Sequence, residues 1–76
     1  MSEERASRHR EAAKRHEEAA ERHAESAEYW EEQGDTERAG LERRNIEVEH
    51  EAAQLERDRA ALEESESQDP PEGSSG

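Results

Sequence analysis

Between Ser7 and Gly34 the chain repeats itself every seven residues, as SRHREAA, KRHEEAA, ERHAESA and EYWEEQG. The third place of each unit holds His9, His16, His23 and then Trp30. The seventh holds Ala13, Ala20, Ala27 and finally Gly34, where the pattern stops. Seven residues make almost two helical turns, so a strict period of seven keeps one narrow stripe of a helix turned toward a partner along its whole length. Such a chain is constrained to pack helix against helix. The period is a packing signal and carries no catalytic signature.

The rest of the composition says how such helices must be held. Of the 76 residues 26% are hydrophobic and 45% charged, and twelve of the hydrophobic ones are alanine. The larger apolar side chains are Met1, Tyr29, Trp30, Leu41, Ile46, Val48, Leu55 and Leu62. Low hydrophobicity with high net charge is the mark of a disordered chain, but disordered acidic tracts need no heptads. A single chain of this size buries little apolar surface, so the expectation is folded helices that lean on a partner. With no cysteine, disulfides, thiolate metal sites and cysteine nucleophiles are excluded. No apolar run has membrane-spanning length and the start lacks the apolar core of a signal peptide, which points to the cytoplasm. The net charge of −12 opposes binding to nucleic acid or anionic lipid.

Local signals place the elements. Ser2 is suited to cap a helix, with Glu3 and Glu4 against its positive N-terminal end. From there to Gln33 the chain has no Gly or Pro and is rich in Ala, Glu and Arg, predicting a first helix over about 3–33. Gly34 stands where a left-handed C′ residue belongs, and Asp35 or Thr36 caps a second helix over about 36–64. So short a turn makes the helices antiparallel. Residues 1–66 are read as one helical hairpin, and 67–76, rich in turn formers and without apolar residues, as a disordered tail.

The second helix has a heptad of its own in Leu41, Val48, Leu55 and Leu62. Folding the chain at the turn sets Trp30 against Leu41, His23 against Val48, His16 against Leu55 and His9 against Leu62, each pair of numbers adding to 71. Small residues fall between them, Ser26 with Asn45 and Ala19 with Ala52, while Ala12 meets Arg59. Along the flank Arg22 comes beside Glu51, Arg15 beside Asp58 and Tyr29 beside Arg44. These columns are the expected hairpin seam, with Trp30 stacked on Leu41. Ala6, Ala13, Ala20 and Ala27, with the side of the second helix that carries Ala39, Ile46, Ala53 and Ala60, form a second stripe. That stripe is the expected dimer interface, because one hairpin seam buries too little to hold the fold. The predicted class is therefore all-α, an antiparallel coiled-coil-like hairpin that pairs into a four-helix bundle.

Candidate chemistry is sparse. Histidines seven apart on a helix are separated by about 10.5 Å, too far to share a metal ion. The places three and four beyond His9, His16 and His23 hold alanine or Ser26 rather than a ligand. No phosphate-binding loop, nucleophile elbow or Ser/His/Asp set is present, and a two-helix hairpin has no sheltered pocket for paired carboxylates. No enzyme, cofactor or metal site is expected. Imidazoles enclosed by Leu and Val would, in addition, make the fold weaken as they gain charge.

The run HREAAKRHEEAAERHAESAEYWEEQGDTERA resembles a group of short uncharacterised bacterial proteins with repeated His-x-x-Ala-Ala units, in which an aromatic pair and a Gly-Asp turn precede a second helix. The likeness spans about half of the chain and implies a helical hairpin, with no catalytic residue or ligand. It departs at Leu41, Val48 and Leu55, where a helix richer in alanine and histidine is expected. The segment YWEEQGDTERA is also similar to the turn of a tetratricopeptide-type hairpin, though no 34-residue repeat follows. Three functions fit these features. One is an interaction module pairing with itself or with another helical protein. The second is an acidic decoy that occupies a basic nucleic-acid-binding protein. The third is a metal or proton sensor built on the histidines.

Overall fold

A computed structural model describes residues 2–68, leaving most of the expected tail (69–76) outside the described residues. Two long helices account for nearly all of it: α1, Ser2–Glu32, and α2, Thr36–Gln68. The helices form because alanine, glutamate and arginine lose little side-chain freedom in helical backbone. The acidic pair Glu3 and Glu4 also opposes the positive end of α1. α2 runs one turn beyond the expected end at Glu64.

The turn stops one helix and starts the next with no residue wasted. Gly34 has φ 78°, which a side chain would oppose. Its N–H donates to the Glu31 carbonyl at 3.0 Å, and the Asp35 N–H donates to the Trp30 carbonyl at 2.9 Å. These two reversed bonds satisfy carbonyls left over at the end of α1. Asp35 then caps α2. Its Oδ1 accepts from the Arg38 N–H at 3.0 Å, and its Oδ2 accepts from the Arg38 guanidinium at 2.9 Å. The chain reverses, and the two helices pack antiparallel against each other as a hairpin. Its cross-section measures 20 × 9 Å between Cα extremes, two helices wide and one thick.

The seam is the alanine stripe, not the leucine column. Ala6, Ala13, Ala20 and Ala27 of α1, and Ala39, Ala53 and Ala60 of α2, are all at most 5% exposed. Ile46, in the remaining place of the α2 column, is half-buried. Leu41, Val48, Leu55 and Leu62 are 57, 59, 50 and 60% exposed, on the side of α2 turned away from α1. The expected pairing of these four with Trp30, His23, His16 and His9 inside one chain is therefore overturned. So is the use of Ala6, Ala13, Ala20, Ala27 and Ile46 between two chains, since the hairpin covers that stripe itself.

The physical reason is that small residues let two helices approach to the near end of the usual interaxial range of about 8–10 Å. At that separation polar side chains on both margins reach across. The alanine register brings three imidazoles and several arginines onto glutamates.

Candidate interaction face

With the alanines set in the seam, the remaining heptad columns fall on two broad faces, since positions three and four residues away flank a helix stripe on opposite sides. On the first face, four residues beyond alanines of the seam or beyond Ile46, lie Arg10, Glu17 and Glu31 of α1 and Arg43, His50, Arg57 and Glu64 of α2. They lace the helices together. Arg10 pairs with Glu64, Arg43 with Glu31, and Arg57 with Glu17 at 2.6 Å. His50 Nδ1 adds a second contact to Glu17 at 2.9 Å. The Arg57 hydrogen bond, chiefly, holds the Glu17 carboxyl below its ordinary value of 4.5. Partial burial works against this, and the charge of His50 assists.

The second face begins with the histidines. His9, His16 and His23 each set Nδ1 at 2.6 Å from a carboxylate oxygen of Glu56, Glu49 and Glu42 respectively. A carboxylate oxygen can only accept, so Nδ1 carries the proton in each rung. All three pairs have numbers adding to 65, which is the cis register stated by the side chains themselves. The His9 hydrogen bond is the main reason the Glu56 carboxyl lies below its ordinary 4.5, against the opposing effect of burial and with help from Arg59. Glu63, next in the glutamate column, has an Oε1 shut off from solvent with no hydrogen-bond partner, its nearest cation being Arg5 at 3.5 Å.

Around these rungs the second face is poor in charge. Ala12, Ala19, Ser26 and Ala52 are half-buried beside them. Beyond, the exposed Leu41, Val48, Leu55 and Leu62 form the margin on α2, and Arg8, Arg15, Arg22 and Tyr29 form the margin on α1. Trp30 takes the place a fourth histidine would have. It is half-buried beside the turn, with the Arg38 guanidinium 4.8 Å above its ring and Tyr29 edge-on at 4.9 Å. These neighbours stand where Leu41 was expected.

The imidazoles thus meet carboxylates and not aliphatic side chains, which removes the premise for a fold weakened by their charging. Among the described residues no group of three or more His, Cys, Asp or Glu side chains is placed to hold a metal ion. None of their helices is long and apolar enough to cross a membrane. Reasoning from sequence missed Glu42, Glu49 and Glu56, although a signal was present. Glu42, Glu49, Glu56 and Glu63 repeat every seven residues and stand three places after Ala39, Ile46, Ala53 and Ala60, as the histidines stand three places after the alanines of α1.

No protein-family model matches the chain, and neither the curated proteins nor the solved structures hold a significant match to it. The site is read from its own geometry.

Proposed function

We propose that this protein is a small non-enzymatic interaction module of the cytoplasm, which binds a helical surface through the face bordered by Leu41, Val48, Leu55 and Leu62. The partner is a second copy, giving a four-helix bundle, or another helical protein. One observation carries this reading: the four largest aliphatic side chains of α2 other than Ile46 are 50–60% exposed, in one column at heptad spacing. Full burial of such a side chain contributes about 1.5–3 kcal/mol, so covering the remaining half yields about 1 kcal/mol each. Isolated exposed leucines need no explanation, but four in register along one helix make a continuous ridge.

The test is a Val48→Glu/Leu55→Glu chain. It should keep the helicity of the parent, because neither residue supports the hairpin, and lose concentration-dependent association in sedimentation equilibrium. Association equal to the parent's would sink the leucine face as the binding surface.

A second reading is supported by the outer edge of α1, where Glu11, Glu18, Glu25 and Glu32 are all exposed in one column. With the net charge of −12, that edge suits an acidic decoy for a basic protein. Such capture would fade as salt is raised, whereas association through leucine would persist.

A further inference from the structure

Resting on the leucine-face reading, we propose that its occupant is a second copy of this chain. In that dimer α1 of each copy lies antiparallel on α2 of the other, in the register whose residue numbers add to 71. This register places Leu62, Leu55, Val48 and Leu41 of one copy over His9, His16, His23 and Trp30 of the other, so that aliphatic side chains cap the His–Glu rungs. Ala19 meets Ala52, Ser26 meets Asn45 and Ala12 meets Arg59 of the second copy, in alternating layers as in knobs-into-holes packing.

Charge complementarity selects this occupant. Among the described residues Arg15, Arg22, Arg44 and Glu51 take part in no ion pair within the chain. Asp58 accepts a hydrogen bond from Gln54 of its own helix. In trans, Arg15 comes beside Asp58, Arg22 beside Glu51, and the Tyr29 ring beside Arg44, twice over by symmetry. Arg15 and Arg22 of one copy thus overlie Asp58 and Glu51 of the other, offsetting locally the repulsion between two acidic chains.

Two geometric conditions bear on closure. A two-fold axis parallel to the helices moves nothing along them, so pairs in trans must have number sums like those in cis. The cis pairs run from 65 for His9–Glu56 to 74 for Arg10–Glu64, and 71 lies within that range. The second condition concerns angle. At 3.6 residues per turn the histidine column stands about 60° from the alanines on α1 and the leucine column about 160° from them on α2. The interleaved columns through Ala12 and Ala52 stand about 100° away on both, so the trans seams centre about 80° and about 130° from the cis seam. Adjacent corners of a four-sided bundle section total about 180°, and these come within about 30° of it.

The experiment uses two full-length chains, Arg15→Glu/Arg22→Glu and Glu51→Arg/Asp58→Arg, first shown by circular dichroism to keep parental helicity. Sedimentation equilibrium at low salt should find each weakened in self-association by about tenfold or more, since every swapped contact becomes like-charged. Mixing the two should restore dimers, as should one chain carrying all four substitutions. Two swapped chains that each dimerise as the parent does, while Val48→Glu/Leu55→Glu does not, would overturn the register and leave the leucine-face reading standing. A parent that stays monomeric at the highest attainable concentration would overturn the second copy as occupant. Unimpaired association of Val48→Glu/Leu55→Glu would overturn both.

Discussion

The two broad faces of the hairpin are built on the same backbone and face each other across the same alanine seam, yet they spend their side chains differently. On one, Arg10, Glu17, Glu31, Arg43, Arg57 and Glu64 meet one another across the helices, with His50 joining at Glu17. That face is complete within one chain. On the other, the helices are joined by three His–Glu rungs, while among the described residues Arg15 and Arg22 of one margin take part in no ion pair and the leucines of the opposite margin are exposed. The contrast separates two tasks. The laced face and the alanines hold the hairpin; the leucine margin lies outside that contact.

The largest effect that would test this division comes from the seam. Ala20 is 3% exposed, so Ala20→Glu forces an unpaired carboxylate between the helices at a cost of about 3–5 kcal/mol. Far-ultraviolet circular dichroism should show most helicity lost. Leu55→Glu, bearing the same new charge on the exposed margin, should leave the spectrum unchanged. If both variants stay helical, the alanine stripe is not the seam.

A smaller effect is expected at the turn that sets both faces. Gly34→Ala meets no steric obstacle, since nothing lies within 4 Å of the added carbon. It still holds a residue at φ 78° that costs about 1–2 kcal/mol for an L side chain. Thermal melts should shift accordingly, and an unshifted melt would mean that the turn relaxes.

Next come the rungs. Glu49→Ala removes the acceptor of the His16 Nδ1–H and should cost about 1 kcal/mol. Arg10→Ala breaks an exposed pair on the laced face and should cost no more than about 0.5 kcal/mol. Reversed magnitudes in denaturant titration would show that the laced face, and not the His–Glu face, carries more of the stability.

Acid titration sharpens the comparison from both sides at once. Glu17 on the laced face and Glu56 on the rung face both have carboxyl groups lowered from 4.5 by their partners in the folded chain. In the unfolded chain those partners are gone. The unfolded state therefore binds more protons on the acid side, and the stabilisation, present above pH 4.5, is lost as pH falls below it. Thermal stability should decline in that range, with Glu56→Gln flattening one part of the decline and Glu17→Gln another. A profile that keeps the parental shape in both variants would remove these two groups as its source.

Much of this fold was legible in advance, and the reasons are local. Gly34 had to be left-handed because it follows an uninterrupted helix-forming run, and Asp35 had to cap because it stands just before the next such run. The histidine column and the leucine column were both visible as heptads. Their partners were misassigned because Leu41, Val48, Leu55 and Leu62 were the largest apolar residues to place, and burial of large side chains is the usual guide to a seam. Here alanine, buried on both helices, overrode it. The glutamates Glu42, Glu49 and Glu56 were hidden among many other glutamates, and nothing but their spacing set them apart.

By itself the sequence determined two helices, the turn between them and a period of seven, but not the last turn of α2. It could not determine which column faces inward, because in a chain repeating every seven residues every column has that period. Only the two helices packed together decide it, since one register must satisfy the alanine seam, the His–Glu rungs and the arginine–glutamate pairs at the same separation. Three-dimensional packing chose the close approach that small side chains allow, and in doing so turned the leucines outward.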